Sequence, residues 1–371
     1  MGGILFLGVL NIVLTLLFKN AHMAHMQKKR TARLYLLVAY MIYIFFAVFR
    51  VIDDNGLIGG YDANVYKNIY SQANVGLVEY LLGHPNEKGY LFINWIAKNT
   101  LDSYQVALFI FHTIAFVFES IFILDIRIRR YNFFTWMGLF AIVGNLTFMF
   151  SMMRNCIVVS MLSVAFICMK RNRFKSSFAI TLLTLLIHYS GIVMMLYLTA
   201  VVTYKKCRAK SRRTIGILFC VFLAISTTMF YIFTPLIDSR YTAYIAIGEN
   251  AHIAYKSYLS IIVLLIAGRL LWSKVLKLGL QYEVIILLFT LIFFIFNTRY
   301  LIVYRMIYDM LPILYLYMIE MTEDIRLFKT RFQLGELVLI IFAFIYLPYR
   351  CYTLIMIENL SCLPYLHSFF L

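Results

Sequence analysis

Long apolar stretches, separated by short polar segments, run along the whole chain. Twelve of them approach or reach the length of about 17–25 residues that a helix needs to cross the hydrocarbon of a bilayer. They are residues 3–18, 34–49, 104–124, 133–152, 155–169, 176–186, 190–204, 214–234, 257–273, 281–296, 301–318 and 335–357. The pattern predicts an all-α, polytopic integral membrane protein of about 12 transmembrane helices, with residues 1–371 as a single transmembrane domain.

The least regular part of the pattern surrounds His188, where residues 178–202 could form two short spans or one interrupted helix. The choice matters because losing one span would invert the membrane orientation of every later span and loop. Basic residues favour two spans, since the clusters at 170–175 and 205–213 can lie on the same side only if two spans separate them.

Composition agrees with a membrane protein: 63% of the residues are hydrophobic and 14% are charged, whereas soluble domains are nearer half apolar and a quarter charged. The net charge of +17 would suggest nucleic acid for a soluble protein. Here 23 of the 34 Lys and Arg residues fall in alternate loops, which the positive-inside rule places in the cytoplasm with both termini outside. We therefore expect no nucleic-acid partner.

Two loops on the predicted outer side, residues 50–103 and 235–256, are much longer than the predicted inner loops. Binding and catalytic residues concentrate in such loops, so we expect these two to supply catalytic and substrate-binding elements. Polar residues recur in the first loop at helical spacing, which predicts two short interfacial helices, each with one polar face. The residues concerned are Asp62, Tyr66 and Tyr70, and then Glu87, Tyr90 and Asn94.

Both groups have simpler interpretations. The carboxylates could be merely solvated, and the tyrosines could belong to the aromatic belt that marks a membrane interface. The functional alternative is that the carboxylates accept a proton and the aromatic rings form platforms for sugars.

Arginines at the predicted outer ends of spans are the clearest candidates for ligand binding. Arg154 stands between two spans with almost no loop to solvate it, and Arg299 and Arg305 flank Tyr300–Tyr304. A forked guanidinium suits phosphate or pyrophosphate oxygens. The alternatives are snorkelling to the interface, or an ion pair of Arg305 with Asp309 one turn away.

Histidine offers a further candidate, because its side chain titrates near neutral pH. His188 lies at the outer end of its span and could transfer a proton, contact a phosphate or serve as a hydrogen-bonded structural group. By contrast, His112 lies among phenylalanines and is expected to be buried and hydrogen-bonded, and Glu119 is expected to join helices. The six cysteines lack the spacing of a metal cluster, and the chain carries no P-loop, GxGxxG, GxSxG or HExxH motif, so no metal and no cofactor are expected.

Taken in order, several short motifs resemble the EpsG family, which comprises polytopic, Wzy-type polymerases of exopolysaccharide, capsule and O-antigen. One departure is Asn155, where the family often has glutamine after the arginine. The motifs are Arg50 after the second span, Tyr61-Asp62 with Tyr66, Glu87-Lys-Gly-Tyr90, Ser151-x-x-Arg154, His188-Tyr-Ser190 and Arg305.

The resemblance implies a GT-C-like, metal-independent glycosyltransferase of the bacterial cytoplasmic (inner) membrane, with its active site on the periplasmic or outer face. Such an enzyme transfers a growing glycan from undecaprenyl pyrophosphate to a lipid-linked oligosaccharide repeat unit. Membrane lipid, a chain-length regulator and a flippase are its implied partners.

Three roles follow for the candidate residues: Asp62 or Glu87 as the base, His188 as a phosphate or orientation partner, and the remaining residues as substrate ligands. The expected ligands are Arg50, Arg154, Arg305, Arg299, Tyr66 and Tyr90. A flippase or other transporter for the same lipid-linked oligosaccharide fits twelve spans equally well, although transporters tend to place ionisable groups at the midplane and to show repeated halves. A membrane acyltransferase using His188 is a third alternative.

Overall fold

A computed structural model describes residues 2–52, 62–128, 131, 133–150, 152–206 and 311–323. Within these ranges the regular structure is entirely helical, which confirms the all-α prediction for this part of the chain. The helices are α1 (Gly2–Met26), α2 (Thr31–Val48), α3 (Ala63–Ser71), α4 (Leu77–Gly83), α5 (Lys88–Leu101), α6 (Tyr104–Asp125), α7 (Phe133–Phe148), α8 (Met153–Lys170), α9 (Phe174–Leu185), α10 (Gly191–Lys206) and α11 (Leu311–Glu323).

Four of the described helices are long and apolar enough to cross a membrane: Phe6–Met26, Thr31–Val48, Tyr104–Asp125 and Met153–Lys170. The helices α7, α9 and α10 coincide with predicted spans, but at 16, 12 and 16 residues they are shorter than the four helices above, which have at least 18. Helix α9 is only about 18 Å long. The predicted spans between residues 214 and 296, the span 335–357 and the loop 235–256 lie outside the described residues. The number of twelve spans therefore stays a prediction.

Helix α1 differs from its prediction, because it continues beyond residue 18 to Met26. Its buried face extends through Ala21 and His22, and His22 Nε2 donates to the carbonyl of Ile126 at 2.8 Å. The ammonium of Lys19 lies 4.4 Å from the centre of the Trp136 ring, so this lysine packs instead of opening a loop. Hydrogen bonding and cation–π contact thus extend a helix that hydropathy alone would end.

The break near His188 is confirmed, since α9 ends at Leu185 and α10 begins at Gly191. A Cβ at Gly191 would lie 2.1 Å from Thr184 Oγ1, so a larger residue could not occupy this close approach. Two helices, and not one interrupted helix, therefore occupy this region.

The centre of the described bundle is α8, which packs against α6, α7 and α9 and is buried along most of its length. A buried carboxylate fastens it to its neighbours: Glu119 Oε2 on α6 accepts hydrogen bonds from Ser160 Oγ at 2.7 Å and from Asn145 Nδ2 at 3.2 Å. The prediction that Glu119 joins helices is confirmed. Asn145 Nδ2 also donates to the carbonyl of Cys156 at 3.0 Å, which ties α7 to α8 a second time.

Two ion pairs connect the other end of α8 to neighbouring elements. The Arg171 guanidinium lies 3.0 Å from the Asp125 carboxylate after α6, and Lys170 Nζ lies 2.5 Å from a carboxylate oxygen of Glu320 on α11. These cations belong to one of the basic clusters predicted to face the cytoplasm.

By internal contacts the chain divides into two compact units. The first comprises Met1–Ile192, Pro312–Glu323 and Leu354–Leu371, and the second comprises Val193–Leu311 and Asp324–Thr353. All the site residues described below lie in the first unit, and the single transmembrane domain stays a prediction.

Replacing Glu119 with alanine should destabilise the protein by about 1–3 kcal/mol, because Ser160 and Asn145 would lose a buried acceptor. Glu119→Gln keeps one acceptor oxygen and should retain more of the stability. Unfolding of the purified protein in mixed micelles measures both effects. Equal stability of wild type and Glu119→Ala would show that this hydrogen-bonded junction does not stabilise the bundle.

Candidate functional site

The loop 50–103 is helical over most of its described length, with α3 beginning after Asp62 and α5 after Glu87. The two predicted helices are therefore present. Their shared face, however, is buried and is not turned to water, because Tyr66, Tyr90 and Asn94 pack inside the protein. The Tyr90 ring stacks on Phe111 of α6 with 5.2 Å between ring centres, and the Tyr66 ring meets Tyr90 edge-on at 6.0 Å. An aromatic belt does not explain these rings.

Arg154, at the start of α8, binds side chains of this loop. Its Nη1 donates to Glu87 Oε2 at 2.6 Å and to Asn86 Oδ1 at 3.3 Å. The guanidinium carbon lies 5.1 Å from the Tyr90 ring centre and 5.5 Å from that of Tyr66, within the range of a cation–π contact. With 18% of its side chain exposed, Arg154 is paired and packed, so snorkelling is the wrong interpretation.

The carboxylate of Glu87 is buried, and each of its oxygens has a different partner. While Oε2 accepts from Arg154, Oε1 accepts from the backbone N–H of Tyr189 at 3.2 Å. A merely solvated carboxylate is therefore the wrong interpretation for Glu87. The side chain joins α8 to residues 186–190, the connection between α9 and α10.

The rest of the Glu87-Lys-Gly-Tyr90 motif also makes specific contacts. Lys88 Nζ donates to the carbonyl of His84 at 2.9 Å, placing a positive charge at the end of α4 where the helix dipole favours it. Tyr90 N–H donates to the carbonyl of Leu186 at 3.0 Å, and Gly89 faces the same residue. Sequence reasoning missed Leu186 and Tyr189, because both take part through backbone atoms that any residue carries.

His188 is half-buried and bonded within its own motif. Its Nδ1 accepts from the Ser190 N–H at 3.1 Å and lies 2.9 Å from Ser190 Oγ. Because a backbone N–H can only donate, the proton of a neutral His188 ring lies on Nε2. The motif therefore fixes the orientation of the ring.

Asp62 is half-buried directly before α3, and the Tyr66 hydroxyl lies 3.5 Å from its Oδ2. Burial raises the pKa of Tyr66 well above its usual range; Asp62 adds to this increase, and Arg154 partly opposes it. Tyr66 therefore stays neutral at physiological pH and can donate towards Asp62.

Arg50, just after α2, is buried and is held by other groups. Its Nη1 donates to His112 Nε2 at 3.1 Å and to the Ala47 carbonyl at 3.3 Å, and its guanidinium carbon lies 5.0 Å from the Phe150 ring centre. Because arginine only donates, His112 carries its proton on Nδ1, which lies 2.5 Å from the Tyr43 hydroxyl. The prediction that His112 is buried and hydrogen-bonded is confirmed.

The structure thus joins Arg154 with Glu87, Tyr66 and Tyr90, and connects the loop that contains His188 to the same carboxylate. Substrate roles for these residues stay predictions, and Arg299 and Arg305 lie outside the described residues. An arginine held beside aromatic rings at a span end suits an anionic group. Among the described residues, no three His, Cys, Asp or Glu side chains form a group that could hold a metal ion.

A family model identifies the family of the chain. The EpsG family matches residues 33–367, so the chain belongs to the EpsG family, a family of Wzy-like polysaccharide polymerase and glycosyltransferase-type membrane proteins. No curated protein matches the chain, and no solved structure matches it. The resemblance carried by the short motifs is confirmed.

Tyr90 can be tested apart from the charges. Burial raises the pKa of Tyr90 to about 12, and Arg154 and the Asn94 side chain partly oppose this increase. No described residue makes a hydrogen bond of normal geometry with its hydroxyl. Tyr90→Phe should therefore leave stability and activity near wild type. Tyr90→Leu should cost about 1–2 kcal/mol of stability by removing the aromatic contacts with Phe111 and Arg154. Thermal unfolding of the detergent-solubilised variants measures this difference, and equal losses for Phe and Leu would contradict it.

Proposed function

We propose that the protein is a polysaccharide polymerase of the bacterial cytoplasmic membrane. It transfers a growing glycan from undecaprenyl pyrophosphate to a hydroxyl of a lipid-linked oligosaccharide repeat unit at the periplasmic face. The supporting observation is Arg154, whose guanidinium is held by Glu87 and two aromatic rings at the end of a membrane span. A lipid-linked donor would present its pyrophosphate at that depth.

In this proposal Arg154 binds the donor pyrophosphate. Its Nη1 is used by Glu87 and Asn86, whereas its buried Nε has no hydrogen-bond partner among the described residues, so donor capacity remains for an oxyanion. The rings of Tyr66 and Tyr90 act on the substrate through Arg154, by holding its guanidinium plane. Arg50 and His188 are proposed as further ligands of the donor. Arg299 and Arg305 lie outside the described residues and stay expected ligands from the sequence.

The reaction needs charge stabilisation and a proton acceptor, and it needs no metal. The acceptor hydroxyl oxygen attacks the anomeric carbon while the bond from that carbon to the pyrophosphate oxygen breaks. The leaving group takes the electron pair beside Arg154, and a carboxylate takes the hydroxyl proton. Asp62 is the proposed base, and Glu87 is proposed instead to hold Arg154 and the Tyr189 N–H, which its two oxygens bind.

The principal alternative is a flippase for the same lipid-linked oligosaccharide. Transporters commonly bind their substrate near the midplane. The paired Arg154 and Glu87 lie instead at the end of α8, beside a helical loop, which favours transfer at one face. An acyltransferase that uses His188 is less well supported, since its Nδ1 bonds within the His188-Tyr-Ser190 motif.

Purified protein supplied with undecaprenyl-pyrophosphate-linked repeat units should produce a ladder of longer glycans. Arg154→Ala should lower the elongation rate by roughly 10²–10³-fold, and Arg154→Lys should restore only part of it, because lysine keeps the charge and loses the fork. The control is Arg171→Ala, which removes a half-exposed arginine at the opposite end of α8. If wild type translocates the lipid-linked substrate and does not elongate it, the flippase is supported. If Arg154→Ala produces a normal ladder, Arg154 does not bind the donor pyrophosphate in the reaction.

The base is tested by measuring elongation against pH. Asp62→Asn should reduce the rate at least tenfold and remove the fall in rate that wild type shows as Asp62 becomes protonated at acidic pH. A matched control is Asp102→Asn, because Asp102 is exposed and has the left-handed φ of 42° that asparagine tolerates. Wild-type rates from Asp62→Asn, with failure only of His188→Ala, would transfer the role to the histidine.

A further inference from the structure

The connection between α9 and α10, residues 186–190, is docked on the start of α5 through three contacts. Glu87 Oε1 accepts from the Tyr189 N–H at 3.2 Å, and Tyr90 N–H donates to the Leu186 carbonyl at 3.0 Å. Between these two bonds, Gly89 lies so close to Leu186 that a Cβ would be 2.9 Å from its carbonyl oxygen. Two hydrogen bonds and one close backbone approach therefore involve residues 87–90, at the start of α5.

We propose that Glu87 and Gly89 are positioning residues, which dock residues 186–190 and thereby hold His188 and Arg154 in one site. The proposal rests on the proposed function only where elongation is measured. Docking itself is a property of the folded chain and can be measured separately.

The side chain of Glu87 suits this task because a carboxylate has two acceptor oxygens. One binds the Arg154 guanidinium at 2.6 Å and the other binds the Tyr189 amide, so the two donors meet on opposite oxygens of one group. Glutamine offers one acceptor oxygen and must give up one of the donors. Aspartate is one methylene shorter and cannot hold both in the same geometry.

Gly89 contributes by its size. A Cβ there would also lie 2.8 Å from the Leu186 Cβ and 3.2 Å from its carbonyl carbon, so backbone atoms would have to move. On α4 of the same loop, Gly83 would meet no atom within 4 Å if it carried a Cβ. Gly83→Ala is therefore a matched control for Gly89→Ala, with the same added methyl group and without the clash.

Docking controls His188 through the backbone. The Tyr189 nitrogen that Glu87 binds is bonded directly to the carbonyl carbon of His188, so fixing this amide fixes the main chain of the histidine. Ser190 then orients the ring through the contacts with Nδ1. Losing the Glu87 contact should move His188 without changing its own side chain.

The experiment combines two measurements on purified full-length protein in lipid nanodiscs. Backbone hydrogen exchange of the peptide covering residues 186–190 reports docking, and elongation of lipid-linked repeat units reports the reaction. The variants are Glu87→Gln and Gly89→Ala, with Glu79→Gln and Gly83→Ala as controls, because Glu79 is exposed on the neighbouring helix α4. Both test variants should speed exchange of this peptide about tenfold or more and lower elongation, while the controls stay at wild-type values.

The pH profile separates positioning from proton transfer. A positioning role predicts that Glu87→Gln lowers the elongation rate at every pH. The variant should still show the acid limb of the profile, which is the fall in rate at acidic pH. Unchanged exchange in both test variants would overturn the proposal, as would a Glu87→Gln variant that loses the acid limb with the peptide still protected. If wild type makes no polymer, the proposed function fails, and the exchange measurement still decides whether Glu87 and Gly89 dock the connection.

Discussion

A largely buried ion pair between Glu87 and Arg154 determines how the described site is built. Charges taken out of water are costly unless each has a close partner, and removing one partner leaves the other uncompensated. At the end of a membrane span, Glu87 and Arg154 each supply the close partner that the other needs. Only 6% of the Glu87 side chain and 18% of the Arg154 side chain are exposed. It also fixes where the loop 50–103 can lie, because Glu87 must reach the start of α8.

From this pair outwards, the short motif 87–90 joins several elements. Glu87 reaches α8 and the α9–α10 connection, Lys88 closes α4, Gly89 permits close packing and Tyr90 stacks on α6. Separately, the helices α6, α7 and α8 are joined by hydrogen bonds among Glu119, Asn145 and Ser160. The end of the bundle thus holds Arg154 in a fixed position while the interior stays packed.

Much of the fold could be predicted, because hydropathy and length identify helices such as α6, which runs from Tyr104 to Asp125 against a prediction of 104–124. The extension of α1 could not, since it depends on His22 and Lys19 finding partners far along the chain. Within the site, Arg154 could be recognised from the sequence, because a charge between two spans with almost no loop is costly unless it has a partner or a ligand. Its partner could not, since Glu87 lies 67 positions earlier in the chain, with the helices α5, α6 and α7 between the two residues. The roles of Leu186 and Tyr189 depend on backbone atoms and leave no trace in residue type.

The central claim is that Arg154 is the anchor for the pyrophosphate of a lipid-linked donor. A structure of the protein in nanodiscs with bound undecaprenyl pyrophosphate tests it most directly. The account predicts that a phosphate oxygen lies within hydrogen-bonding distance of the Arg154 guanidinium, beside Tyr66 and Tyr90. A pyrophosphate bound at the opposite end of α8, near Lys170 and Arg171, with Arg154 still enclosed by Glu87, would contradict it.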